Sequence, residues 1–301
     1  MFRPASVPDV IDGLAAQGYL ADEGLATAVF LSLSMRRPLL LEGEPGVGKT
    51  EVARALSTWL GGELLRLQCY EGLDAAQALY EWDYPRQLLH LRAAEAAGSL
   101  ANDMDAIEDE LYSERFLIRR PLLDALSDRH VVPPVLLIDE LDRADDEFEA
   151  FLLELLADAS VTIPELGTIR AVTPPIVVIT SNRTRDLHDA LKRRCLYHWV
   201  DHPSLEREIA IVRSRLPEAP EVLAREIAVL TAELRSIGLF KPPGVAEAID
   251  WVQALLAMGR TDIDTATVDA TLGAVVKHRE DLERVRAHGV DDLVDVARRT
   301  S

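Results

Sequence analysis

The sequence predicts an α/β domain followed by an all-helical one, and three observations carry this. Short continuous apolar runs at residues 39–41, 135–138 and 176–180 have the pattern of parallel strands buried on both faces. A glycine-rich segment joins the first run to a helical stretch. Beyond Pro203 strand signals stop and only helical periodicity continues. At 301 residues the chain has room for two domains, and the boundary is placed at residue 202, giving 1–202 and 203–301.

In chain order, a helical pattern over 21–35 is ended by Arg36-Arg37-Pro38. Residues 51–60 read as a helix closed by Gly61-Gly62, and 64–69 as a second strand. Residues 70–97 are helix-rich with a break at Asp83-Tyr84-Pro85, and 102–114 read as an acidic helix. Phe148, Phe151, Leu152, Leu155 and Leu156 recur at helical spacing, so 145–157 is an amphipathic helix. Two β-rich runs, 161–163 and 168–172, flank Pro164-Glu165-Leu166-Gly167 in a hairpin pattern. A further strand is expected at 196–200. Helices follow near 204–215, 220–236, 244–258 and 265–287, with a short one at the end.

Charge and composition narrow the function classes. The chain carries 32 basic and 51 acidic residues, a net charge of −19. That balance repels a phosphate backbone and argues against general binding of nucleic acid. With 48% hydrophobic and only 5% aromatic residues, the core must be built from Leu, Ala, Val and Ile. Cys69 and Cys195 make neither a disulfide framework nor a zinc site, and suit a reducing compartment. No basic-then-apolar leader opens the chain, and no run approaches the roughly 18 apolar residues of a membrane span. A soluble, cytoplasmic protein is expected. Only four of the basic residues are lysines, Lys49, Lys192, Lys241 and Lys277, so each is worth locating.

Lys49 lies in Gly43-Glu44-Pro45-Gly46-Val47-Gly48-Lys49-Thr50, which fits G-x-x-x-x-G-K-[ST] between a strand and a helix. Such glycines let backbone N–H groups wrap a phosphate chain at a positive helix end. Lys49 would reach the β- and γ-phosphates of ATP and the Thr50 hydroxyl would hold Mg²⁺. A phosphate loop needs an acidic partner on a neighbouring strand, and the run 135–138 ends in Asp139-Glu140. Asp139 would hold magnesium through water, and Glu140 would polarise the attacking water. The run 176–180 leads to Ser181-Asn182. Asn182 would either bond the γ-phosphate or its water, or cap the following helix. Lys192-Arg193-Arg194-Cys195 offers a guanidinium for a neighbouring subunit's phosphate, or a basic helix end satisfying its own carbonyls.

The ordered series GEPGVGKT, VLLIDE, ITSN and KRRC, with an all-helical C-terminal part, resembles the AAA+ ATPases and, within them, the MoxR family. Residues 66–89, 139–169 and 241–251 are similar to the CoxD-type branch, associated with maturation of molybdenum hydroxylases. The resemblance implies a P-loop AAA+ core with a parallel sheet between helices and a small all-α lid. It makes Gly43 to Thr50 the Walker A loop, with Glu51 at its end, and Asp139 and Glu140 Walker B. Asn182 becomes sensor 1 and Arg194, with Arg193 as fallback, the arginine finger. Tyr19 and Leu20 fall where such proteins contact adenine. Residues 70–97 correspond to the helix-two insert and 161–172 to the hairpin before sensor 1, both facing the pore or substrate. Tyr80, Trp82 and Tyr84 of the insert are read as packing residues ahead of client contacts.

Two positions depart from the family pattern. Asp142 stands where many MoxR-like chains carry Asn, and Lys241 stands near the position of the sensor-2 Arg, lacking its bidentate fork. The implied function is a ring-forming ATPase, a homo-hexamer, that remodels a protein client with a von Willebrand A-domain partner. The alternatives weighed against it are a AAA+ loader or motor on nucleic acid and a P-loop small-molecule kinase.

Overall fold

The computed structural model describes residues 4–96, 110–164 and 166–300. The chain opens with α1 (Val7–Ala15), α2 (Glu23–Met35), β1 (Leu39–Gly43), α3 (Lys49–Leu60) and β2 (Leu64–Gln68). An excursion follows: α4 (Ala75–Leu79), β3 (Tyr80–Trp82), α5 (Tyr84–Ala96), β4 (Leu117–Arg119) and α6 (Pro121–Ala125). The chain then returns through β5 (Val135–Asp139), α7 (Asp146–Asp158), β6 (Ser160–Ile163), β7 (Gly167–Arg170), β8 (Ile176–Ser181), α8 (Asp189–Lys192) and β9 (Leu196–Val200).

Among the described residues β2, β5, β8, β1 and β9 form, in that spatial order, a five-stranded parallel sheet. Alternation within each apolar run explains why the sheet is covered on both sides. Leu39 and Leu41 join Val135, Leu137, Val178 and Val200 against the helices α1 to α3. Leu40 points the other way, with Leu136, Ile138, Val177 and Ile179, against Leu122, Phe148, Leu152 and Leu155. Each such fully buried side chain stabilises the fold by about 1.5–3 kcal/mol.

One sequence expectation is corrected here. The acidic strand β5 is not the neighbour of β1, because β8 pairs with both: Val178 is level with Leu39 on one side and with Leu137 on the other. The polar end of β8 therefore lies between the glycine loop and the acids. The excursion also holds more than helices. Its β3 pairs antiparallel with β4, and Trp82 is buried edge-on to Tyr80 at 5.9 Å and to Tyr112 at 5.4 Å. Tyr84 is 63% exposed and takes no part in that packing. The expected acidic helix at 102–114 lies largely outside the described residues. The hairpin is present as β6 and β7, paired from Ser160 with Arg170 to Ile163 with Gly167.

Past β9 the elements are helices only: α9 (Leu205–Arg215), α10 (Glu221–Ser236), α11 (Val245–Ala257), α12 (Thr265–Thr271), α13 (Arg279–His288) and α14 (Val290–Arg299). They enclose their own core around Trp251, which is fully buried and donates its indole N–H to Thr271 Oγ1 at 2.8 Å. The expected single helix over 265–287 is two. After α12 a 3₁₀ turn, Leu272–Ala274, leads Val275 and Val276 into the core, and Lys277 Nζ caps the Gly273 and Ala274 carbonyls. None of the described helices is long and apolar enough to cross a membrane. Replacing Trp251 with Ala should cost about 3–5 kcal/mol, read as a lowered urea midpoint with the lid melting first by hydrogen exchange.

Candidate nucleotide-binding site

The loop from Gly43 to Lys49 joins β1 to α3 at the carboxyl edge of the sheet. Gly46 and Gly48 have φ of 78° and 93°, a left-handed conformation that a Cβ opposes. Successive turns of this kind line up N–H groups into an anion nest, completed by the N-terminus of α3. Lys49 Nζ is folded back over the loop, donating to Gly43 O at 2.7 Å and Glu44 O at 2.8 Å. Burial lowers its pKa, and the carboxylates of Asp142, Glu44, Asp139 and Glu140 oppose that shift. A phosphate would take over the carbonyls' place at the ammonium.

Asp139 ends β5 with 2% exposure, and both carboxylate oxygens are engaged. Oδ1 accepts from Thr50 Oγ1 at 3.0 Å and Thr180 Oγ1 at 2.6 Å, while Oδ2 takes Arg66 Nε at 3.0 Å and Nη2 at 2.6 Å. Thr50 and Asp139 thus meet as hard oxygen donors beside the loop. That donor set fits Mg²⁺, which keeps several waters and asks for one or two protein oxygens.

Glu140 follows in the left-handed region at φ 54°, a costly conformation for a residue with a Cβ. Its N–H is held by Thr180 Oγ1 at 2.9 Å, and its carboxylate by Gln68 Nε2 at 3.2 Å and Arg143 Nη1 at 3.0 Å. The side chain is 33% exposed, so water reaches it. Asn182 also lines the site. No helix starts there, since the next one is α8 at Asp189, and its capping role is thereby excluded. Asp142 shapes this loop. Buried at 2% exposure, it accepts from Asn182 N at 3.1 Å, Thr184 N at 2.9 Å and Thr184 Oγ1 at 2.7 Å. Three donors suit an acid here, since a carboxylate offers two acceptor oxygens and an amide one.

These groups surround a cavity of about 450 Å³, within the usual range for small-molecule sites. Pro45, Gly46, Val47, Gly48, Lys49, Thr50 and Glu51 form its floor, and Tyr19 and Leu20 form a wall. Gly43 and Glu44 stay behind it and act through their carbonyls on Lys49. The lid supplies the other wall. Arg207 donates to Leu20 O and pairs with Asp22 at 3.0 Å, and Arg215 pairs with Glu51. Val245 N donates to Gly46 O at 3.1 Å, so the tip of α11 rests on the phosphate loop.

Besides Gly43 and Glu44, three sequence-predicted residues lie outside this lining: Lys241, Arg193 and Arg194. Lys241 is exposed, and its N–H is tied to Asp281 Oδ2 at 3.1 Å. The apolar start of α11, at Val245 and Ala246, occupies the place beside the loop. The Lys241 side chain is not among those that line the cavity, where the resemblance expected it. Arg193 and Arg194 are exposed, and their side chains make no hydrogen bond or ion pair with the described residues. Their carbonyls, with that of Cys195, are gathered by Arg37. Burial pushes the Cys69 and Cys195 thiols up to about 12, which makes both inert.

Sequence reasoning missed Arg66, Thr180, Arg207 and His202. A cation in a strand beside the acidic one was the available signal for Arg66. His202 lines the cavity with Nδ1 buried and unpartnered among the described residues. Burial first, then Arg235, drives its pKa from 6.5 down to about 4. His198 shifts downward too, through burial. The native state therefore binds fewer protons than the unfolded chain between these values. This stability is fully present above about pH 6.5 and is lost as pH falls toward 4. The melting temperature should drop over that window, and His202→Gln should flatten part of the drop.

A family model matches the part of the chain that carries this geometry. Residues 38–195, over half of the chain, match the family model described as AAA domain (dynein-related subfamily). The uncharacterized protein YehL of Escherichia coli strain K12 is 27% identical over 182 residues, covering 57% of this chain. The match spans 43% of that relative's length. Among solved structures, a point mutant of Thermotoga maritima RuvB aligns over 90% of this chain and 73% of its own, with 20% identity and a TM-score of 0.47. With the loop, the acids and the sheet order in place and the family match running from Pro38 to Cys195, the chain belongs to the AAA domain family, in its dynein-related subfamily.

Proposed function

We propose that the protein is a magnesium-dependent ATPase of the MoxR type that works as a ring and remodels a protein client. The observation that carries this is the division of charged groups. One cavity holds the phosphate loop, Thr50, Asp139, Glu140 and Asn182, while Arg193 and Arg194 project from the surface outside it. Lys49 and the loop amides bind and orient the triphosphate. Thr50 and Asp139 would hold magnesium, which would supply charge neutralisation at the phosphates. Glu140, reachable by water and held by Gln68 and Arg143, takes the proton of the attacking water, and Asn182 orients that water. A second protomer's Arg194, with Arg193 beside it, then stabilises the charge on the transferred phosphoryl group.

The finer reading is a hexameric chaperone acting in the cytoplasm with a von Willebrand A-domain partner on a molybdenum-hydroxylase client. It is supported by the motif resemblance of residues 66–89, 139–169 and 241–251, and by an acidic balance of charge that disfavours nucleic acid.

Lys49→Ala should abolish binding of a fluorescent ATP analogue. Glu140→Gln should bind it and turn over at least about 100-fold more slowly, in line with loss of a general base. Mixing Glu140→Gln with Arg194→Ala protomers should restore part of the ATPase, because some interfaces then combine an intact base with an intact cation. No rescue at any mixing ratio would remove the finger in trans. A pull-down with Glu140→Gln as a trap tests the client: recovery of no metalloenzyme subunit would sink the finer reading.

A further inference from the structure

We propose that Arg66 is an internal cation that occupies the outer oxygen of Asp139 in the metal-free protein, so that magnesium loads by displacing it. This rests on the magnesium–nucleotide reading above.

A carboxylate with 3% exposure cannot stand uncompensated, so some cation must face Asp139 in every state. Without metal that cation is Arg66, which aims Nε and Nη2 at the single oxygen Oδ2. Lys49 does not serve, because its Nζ is spent on the Gly43 and Glu44 carbonyls. Nor is Arg66 needed to position the acid. Oδ1 is fixed by Thr50 and Thr180, and the Asp139 carbonyl accepts from Cys69 N at 2.9 Å.

The two partners differ in mobility. Asp139 is locked at the end of an inner strand, whereas the Arg66 side chain is 51% exposed on edge strand β2. Among the described residues its other hydrogen bond is to Gln68 Oε1 at 2.6 Å. The half-exposed guanidinium can swing fully into water and regain hydration, leaving Oδ2 to a hydrated metal. Its departure also releases Gln68, whose amide nitrogen holds Glu140 at 3.2 Å. Metal loading and the freedom of the water-activating carboxylate are thereby linked through one arginine.

The test is the factor by which magnesium tightens nucleotide binding. Affinity for a fluorescent ADP analogue is measured on the full chain in excess EDTA and in excess magnesium, for wild type, Arg66→Met and Arg66→Lys. With no ion pair to break, that factor should grow on the order of 3- to 10-fold in Arg66→Met, consistent with a half-exposed charged hydrogen bond. Arg66→Lys, a point charge without the fork, should fall between. A factor that is unchanged or smaller in Arg66→Met would make Arg66 a holder of Asp139 and overturn the proposal. Melting curves establish that each variant is folded. If Arg66→Met does not fold, Arg66→Lys decides alone, by a factor above or not above that of wild type. Wild type that binds no nucleotide in either buffer would sink the site assignment itself, and this inference with it.

Discussion

The buried carboxylate of Asp139 is the constraint around which the site is arranged. At 2% exposure an ionised acid is expensive unless every lone pair is met. Thr50 comes to it from α3, Thr180 from β8 and Arg66 from β2, so three elements are tied to the end of β5. The same Thr180 hydroxyl holds the Glu140 backbone, which keeps the next residue in its left-handed turn. Strain at Glu140 and burial at Asp139 thus have a common support. A neutral end to β5 would remove the cost of burying a charge and, with it, the carboxylate that attracts a metal.

A second contact couples this arrangement to the lid. Gly46 and Gly244 pack backbone to backbone: a Cβ on Gly244 would lie 2.7 Å from Gly46 Cα, and one on Gly46 would lie 3.1 Å from Gly244 Cα. Absence of both side chains lets α11 reach the loop. The approach is braced from behind by Arg235, which pairs with buried Glu208 at 2.7–2.8 Å and donates to Pro243 O at 2.7 Å. Removing one partner of so buried a pair leaves an uncompensated charge and costs about 3–5 kcal/mol. Any ligand on the loop therefore bears on the lid directly, through backbone contact with Gly46 as well as through Arg207 and Arg215.

Legibility in the sequence followed the range of the interactions. The strands at 39–43, 135–139 and 176–181 announce themselves because burial on both faces requires continuous apolar runs. The loop is readable because Gly46, Gly48, Lys49 and Thr50 act at short spacing. By contrast, α1 depends on the Ser6–Asp9 capping box and on Val10 and Leu14 finding the sheet. The β3–β4 pair joins residues more than thirty positions apart, with pairing set by Trp82 and its neighbours. The break between α12 and α13 is made by a core that draws in Val275 and Val276, which a helical pattern could equally have buried.

By itself the sequence determined that a triphosphate-type loop and an acidic strand end exist, and that an all-helical part follows an α/β part. Local chemistry suffices for these, since backbone conformation and periodicity are properties of short segments. Only the tertiary structure decided that β8 stands between loop and acids and that Lys241 is left out of the cavity lining. It also decided that Arg66 neutralises Asp139 and that Asp142 is a three-donor clamp. Those outcomes depend on which side chains meet across the sheet, and compensation of a buried charge is satisfied by whatever cation the fold brings near, at any distance along the chain.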